Sequence, residues 1–210
     1  MLDLYRHDNS IDDAPTPSAL LSTLPHLIAI DGPPGSGKTT FADCITYQLK
    51  DRGVQYEIVS TDDDVLPRHS RKDLEVVEYH PGELAKEAVL AHFNARFSNG
   101  TSFSAPVYSS KTGEHSDQKS FNIPNQKGVL LVEGLRSIEY VLEVLGPRVN
   151  TLDQILLVLM DSAFEQSEVR RLHRDTTQKG LSPEEVATRI LTQRSTLLNY
   201  FIYLRKALRI

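Results

Sequence analysis

The chain has a single cysteine, Cys44, among its 210 residues. A lone thiol closes no internal disulfide, which excludes a disulfide-stapled scaffold. No apolar run approaches the roughly 20 residues that carry a helix across a bilayer, so no membrane association is expected. Positive charge is also short: 23 Lys and Arg stand against 28 Asp and Glu, a net charge of −5. That balance argues against a nucleic-acid partner, because a phosphate backbone calls for a basic footprint. The N-terminus carries Asp3, Asp8, Asp12 and Asp13 and lacks the basic-then-apolar order of a signal peptide, so a cytoplasmic location is expected. There is no internal repeat, low-complexity tract or Cys/His metal-ligand spacing. His80, His92, His115 and His173 are scattered, and only His80, beside Pro81, draws interest.

Against those absences stands one strong motif. Gly32-Pro33-Pro34-Gly35-Ser36-Gly37-Lys38-Thr39 fits the pattern Gly, four residues, Gly-Lys-Ser/Thr, followed by Thr40. It follows the apolar run Leu27-Ile28-Ala29-Ile30, which reads as a buried strand, and runs into a helix with apolar residues at helical spacing from Phe41 to Leu49. Glycines let backbone N–H groups turn inward around phosphate oxygens where any side chain would block the approach. Lys38 supplies a positive charge to the outer phosphates, and the Thr39 hydroxyl is placed to ligate Mg²⁺. The helix N-terminus adds its dipole. Strand, loop and helix agree on a nucleotide site.

The rest of the pattern predicts an α/β fold: a P-loop, doubly wound parallel sheet flanked by helices, with a helical lid. Residues 1–24, acidic and with Pro15 and Pro17, read as an arm outside the core, with a short helical piece at Ser18–Leu24. Residues 25–210 read as a single domain. Strands are predicted at 54–60, 128–132 and 155–160, and a helix over 82–98 closed by Asn99-Gly100. A charged helix follows over 162–179, ended by Gly180. Ser182-Pro183-Glu184-Glu185 is a capping box that starts the last helix.

In a doubly wound sheet the ligand crevice lies at the C-terminal strand ends. That puts Asp31, Asp62, Asp63, Asp64, Glu133 and Asp161 beside the loop. Asp62 is the candidate acid-base group and Glu133 the candidate metal-side carboxylate. Asp63 and Asp64 read as solvated turn residues and Asp31 as support for the loop. Arginines on residues 162–181 are placed to act as a lid over the phosphates, although Glu165, Glu168 and Asp175 would also suit a solvated helix face. Tyr108, after Pro106-Val107, reads either as a pocket wall or as packing.

Taken together, these motifs resemble the phosphoribulokinase/uridine kinase family of P-loop small-molecule kinases. The likeness covers about residues 26–190. It rests on the glycine loop at 32–40, Ser-Thr-Asp-Asp at 60–63, His-Pro at 80–81, and Pro-Val-Tyr at 106–108 with Thr-Gly at 112–113. Val-Glu-Gly-Leu at 132–135 and Arg-Arg-Leu-His-Arg-Asp at 170–175 with Lys-Gly at 179–180 complete it. The resemblance implies ATP and Mg²⁺, Asp62 as the base toward a substrate hydroxyl, Glu133 in the magnesium site, and Arg171 and Arg174 on the lid. It places Tyr79, His80, Tyr108 and Arg136 on the acceptor side. Tyr79 stands where uridine kinases carry an acid, Gly113 where they carry a histidine, Lys179 where the family has an arginine and Leu181 where uridine kinases have another. Because the chain ends at Ile210, an abbreviated base-binding side is expected.

The expected activity is ATP-dependent phosphorylation of a hydroxyl on a small metabolite, a nucleoside or sugar-like alcohol. The alternative is a nucleotide-binding switch or a lapsed kinase-like binding module. A homo-oligomer is left open.

Overall fold

In the computed structural model, the described residues are 2–6, 24–94, 101–125, 127–146, 155–160 and 164–208. The strands are β1 (Leu2–Arg6), β2 (Leu27–Asp31), β3 (Tyr56–Ser60), β4 (Thr101–Ser109), β5 (Glu114–Ile123), β6 (Val129–Glu133) and β7 (Ile155–Leu159). The helices are α1 (Lys38–Asp51), α2 (Glu83–Asn94), α3 (Ser137–Leu145), α4 (Phe164–Lys179) and α5 (Pro183–Leu208). Three 3₁₀ turns, Thr61–Asp64, Arg68–Arg71 and Val76–Tyr79, fill the path from β3 to α2.

Five strands form one parallel sheet in the order β1-β7-β2-β6-β3. Its inner strands are apolar at successive positions because both faces are covered. Leu27, Ala29, Leu130, Val132, Ile155 and Leu157 face a core shared with α2, α3 and α5. Ile28, Ile30, Val129, Leu131, Leu156 and Val158 face the opposite way, onto Ala42, Ile45 and Leu49 of α1. The strand carrying the phosphate loop is therefore central, and its C-terminal end opens between neighbours on both sides.

Three sequence expectations change. Residues 2–6, read as part of an outlying arm, pair in register with β7 as an edge strand. The βαβ order is broken by an antiparallel hairpin, β4 and β5, that the periodicity did not reveal. Phe103, Ala105 and Val107 of β4 alternate with exposed neighbours and pack against the core, whereas residues 114–119 of β5 are polar throughout, and the hairpin contacts the first 3₁₀ turn. Helix α3 was also not predicted. The Asn99-Gly100 closure, the Ser18–Leu24 piece apart from Leu24, and Asp161 lie outside the described residues. Gly180 follows α4, and the predicted capping box is formed: Ser182 N–H donates to Glu185 Oε2 at 3.0 Å and Glu185 N–H to Ser182 Oγ at 3.1 Å. No helix among the described residues is long and apolar enough to cross a membrane.

Candidate active site

The phosphate loop leaves β2 and turns tightly, with Ser36 N–H donating to the Pro33 carbonyl at 3.1 Å, and enters α1 at Lys38. Gly35 is required by a close approach: a Cβ there would overlap the Ser167 carbonyl of α4 in a backbone region, φ +87°, that side chains rarely adopt. The loop and α4 thus touch through backbone. Lys38 Nζ crosses the loop to the Gly32 and Pro33 carbonyls at 2.8 and 3.1 Å. Burial lowers its pKa, and the charges of Asp62, Glu133 and Asp31 oppose that shift while Arg174 adds to it. Three acids on three strand ends and one arginine of α4 therefore converge electrostatically on the lysine. Thr39 and Thr40 are exposed at the start of α1.

Asp31 is fully buried and acts as a strut, as its position before the loop suggested. Oδ1 accepts from Gly32 N–H at 2.7 Å and Arg136 N–H at 3.2 Å, and Oδ2 accepts from the Tyr200 hydroxyl at 2.8 Å. Burial pushes its carboxyl up to about 6, against those hydrogen bonds. Glu133, at the end of β6, is buried beside the end of β3, where Ser60 Oγ donates to its Oε1 at 2.8 Å. Burial raises its carboxyl pKa, and Asp62 and Asp63 add to the shift.

Asp62 is held by its backbone, which donates to Ser60 Oγ at 3.2 Å, while its carboxylate is 77 % exposed toward the crevice. His80 Nδ1 lies 3.8 Å from Asp62 Oδ1 and 3.2 Å from the Thr61 carbonyl. Burial holds the imidazole below its ordinary pKa, so near neutral pH the ring is uncharged. A neutral ring that donates Nδ1–H to the Thr61 carbonyl forms no ion pair with Asp62. Asp63 and Asp64 are not solvated turn residues. Asp63 Oδ2 meets Lys119 Nζ of β5 at 2.7 Å, and Asp64 Oδ2 accepts from Leu84 N–H at 3.1 Å, at the start of α2.

The predicted acceptor residues divide. His80 lies beside Asp62, and Tyr79 and Tyr108 meet at Arg71, whose guanidinium carbon lies 5.4 Å from the Tyr79 ring centroid and 4.5 Å from that of Tyr108. Arg136 is instead engaged in the fold. It adopts φ +69°, donates Nη1 to the Val77 and His80 carbonyls at 3.1 and 3.3 Å, and grips Glu139 through Nε and Nη2 at 2.7 and 2.9 Å. The Tyr140 hydroxyl donates to the same His80 carbonyl.

On α4, Asp175 is buried among three cations: Arg174 Nε at 2.8 Å, Lys179 Nζ at 3.0 Å and Arg171 Nε at 3.7 Å. Although burial would raise its pKa, hydrogen bonds from Arg174 and Lys179 hold it below the ordinary value. Arg171 is 12 % exposed and donates Nη2 to Gln193 of α5 at 2.7 Å, whereas Arg174 is 41 % exposed. Arg171 ties α4 to α5, and Arg174 is the arginine whose charge acts on Lys38.

Sequence reasoning passed over Arg71, Lys119 and Tyr200. Each lies in a stretch without a motif, and only the packing of distant segments gives it a partner. Among the described residues there is no cluster of three or more His, Cys, Asp or Glu side chains fit to hold a metal by themselves. The donor set at hand, Thr39 and Glu133 beside a phosphate loop, suits Mg²⁺, which keeps waters and substrate phosphates as most of its ligands.

A central parallel strand, a glycine loop at its C-terminal end and a lysine ringed by acids define the chain as a P-loop protein of the kinase type. The chain belongs to the phosphoribulokinase/uridine kinase family, whose sequence profile matches residues 27–206. It is 27% identical over 165 residues to a uridine kinase of Halalkalibacterium halodurans, covering 77% of this chain and 72% of that protein. It is 29% identical over 159 residues to a chloroplastic uridine/cytidine kinase of Arabidopsis thaliana, covering 74% of this chain but only 30% of that longer protein. The fold is shared with a D-glycerate 3-kinase from Cryptococcus neoformans, at a TM-score of 0.53 and 17% identity over 82% of this chain and 78% of that one.

Proposed function

We propose that the chain transfers the γ-phosphoryl group of ATP to a hydroxyl of a small metabolite, a nucleoside or sugar-like alcohol. The observation that carries this reading is an exposed Asp62 carboxylate within electrostatic reach of Lys38, the lysine of the phosphate loop. Asp62 accepts the acceptor's hydroxyl proton. The acceptor oxygen bonds to the γ-phosphorus as the bond to the β–γ bridging oxygen breaks, and ADP departs. Lys38 and the loop amides hold the outer phosphates, and Arg174 stabilises the charge that spreads over them. Thr39 and Glu133, with Ser60 fixing the carboxylate, would hold Mg²⁺, which neutralises phosphate charge when bound. Kinship with a uridine kinase supports a nucleoside among the candidate acceptors.

The test is acceptor-dependent ADP release across nucleosides, pantothenate, ribulose 5-phosphate, glycerate and related alcohols. At least one acceptor should raise ADP release well above the background with ATP alone. Tight ATP binding with no acceptor effect anywhere in the panel would reject phosphotransfer.

A further inference from the structure

Arg71 sits between β3 and α2, at the end of the second 3₁₀ turn, and its bonding is incomplete. Its Nε donates to the Leu66 carbonyl at 2.6 Å. The rings of Tyr79 and Tyr108 occupy its neighbourhood at 5.4 and 4.5 Å from the guanidinium carbon. Nη2 is buried with no hydrogen-bond partner, and among the described residues no carboxylate lies within ion-pair distance of the side chain. A guanidinium engaged by two aromatic rings and by Nε retains its terminal in-plane N–H groups, the fork that matches a carboxylate or phosphate.

The surroundings sharpen this. Arg71 is close enough to His80 for its charge to disfavour protonation there, and His80 lies 3.8 Å from Asp62. Asp62, Asp63 and Glu133 make that end of the crevice acidic, and an anionic acceptor would be repelled unless a cation received its charge. The nearby cations are committed elsewhere: Lys119 to Asp63 and Arg136 to Glu139. Burying an unpaired cation is costly, whereas a ligand anion completes its bonding. An uncharged alcohol offers Arg71 hydrogen-bond acceptors but no countercharge.

We propose that Arg71 is the anion-recognition residue of the acceptor site, and that the phosphorylated alcohol carries a carboxylate or phosphate group at the end away from the reacting hydroxyl. The proposal rests on the kinase reading with Asp62 facing the acceptor, and within that reading it selects an acidic sugar-like alcohol over a neutral nucleoside.

Steady-state assays of wild type, Arg71→Gln and Arg71→Lys test it with glycerate and pantothenate as carboxylates, ribulose 5-phosphate as a phosphate ester and uridine as an uncharged alcohol. An anionic probe should be the preferred acceptor, and which of the two chemistries wins identifies the group. In Arg71→Gln its KM should rise about 10- to 100-fold with a much smaller change in kcat, the loss expected for hydrogen bonds to a charged group. Arg71→Lys keeps the charge without the fork and should fall between, and it replaces the Gln variant should circular dichroism show that one misfolded. Preference for uridine, or an anionic-acceptor KM unmoved by either substitution, would overturn the proposal. Failure of the kinase reading shows separately, as ATP binding without turnover of any probe. Calorimetric titration of the same probes into ATP-bound protein then decides: binding weakened in the Arg71 variants upholds anion recognition, and absent or unchanged binding rejects it.

Discussion

Tyr200 donates its hydroxyl to Asp31 Oδ2 at 2.8 Å, joining the last helix to the residue that precedes the phosphate loop, although the two stand 169 positions apart. Burial raises the phenol's pKa well above its usual value, so it remains a donor across the working pH range. Tyr200→Phe keeps the ring and removes the donor. Stability should drop by about 1–3 kcal/mol, the cost of leaving a buried polar partner short of a bond, as measured by urea unfolding. A change within a few tenths would mean that Asp31 finds a substitute.

Asp31 should give the fold a pH signature. Its carboxyl rises from 3.8 to about 6 on folding, chiefly through burial. Between those values the folded chain holds a proton that the unfolded chain has released, so this group's contribution to stability is greatest below about pH 4. It declines as pH rises toward about 6 and stays low above. The shift corresponds to about 3 kcal/mol at most. Urea unfolding of wild type and Asp31→Asn from pH 4 to 7 should show the wild type losing stability relative to the variant. Parallel profiles would assign the dependence to another group.

Lys38→Ala removes the charge that spans the loop. Circular dichroism should be unchanged, because the side chain bonds only loop carbonyls and belongs to neither core cluster, while phosphotransfer should be abolished. Wild-type turnover in the variant would remove the loop lysine from the chemistry.

Asp62→Asn and Asp63→Asn should behave differently despite their adjacency. The first loses the proton acceptor, and kcat should fall roughly 10²–10⁴-fold with ATP still bound. The second loses the charge facing Lys119, which tethers the hairpin, so acceptor KM should move more than kcat. Kinetics that reverse these outcomes would transfer the base to Asp63.

The two lid arginines separate in the same way. Arg174→Ala should lower kcat far more than it weakens ATP binding, because its charge acts on the phosphate end of the site without holding the helix pair together. Arg171→Ala breaks the bond to Gln193 and should lower the thermal midpoint as well. An unchanged kcat in Arg174→Ala, read with calorimetry for ATP, would exclude that residue from the transition state.

Much of the site was legible before any fold was known, for local reasons. The glycine loop needs its glycines at fixed spacing, an apolar strand must precede it, and Asp62 and Glu133 stand at the C-terminal ends of predicted strands. The parallel sheet follows from runs apolar on both faces. The hairpin escaped notice because Pro106 counts against a strand despite the alternation of Phe103, Ala105 and Val107 in β4, and residues 114–119 of β5 are polar throughout. Asp63 and Asp64 were misread as solvated for a related reason: their partners, Lys119 and Leu84, come from elements whose approach no spacing announces.

The sequence alone determined the phosphate loop, the strands that present its flanking acids, and the basic helix with its capped successor, since each depends on neighbours within a few turns of chain. Tertiary structure decided what the remaining polar groups do. It gave Asp31 to Tyr200 and Arg136 to Glu139, gathered three cations around Asp175, and left Arg71 between two tyrosines with no carboxylate within ion-pair distance among the described residues. Backbone preference acts over a few residues, but a buried charge is satisfied by whatever the folded sheet brings within about 3 Å, and that choice is made only when distant segments meet.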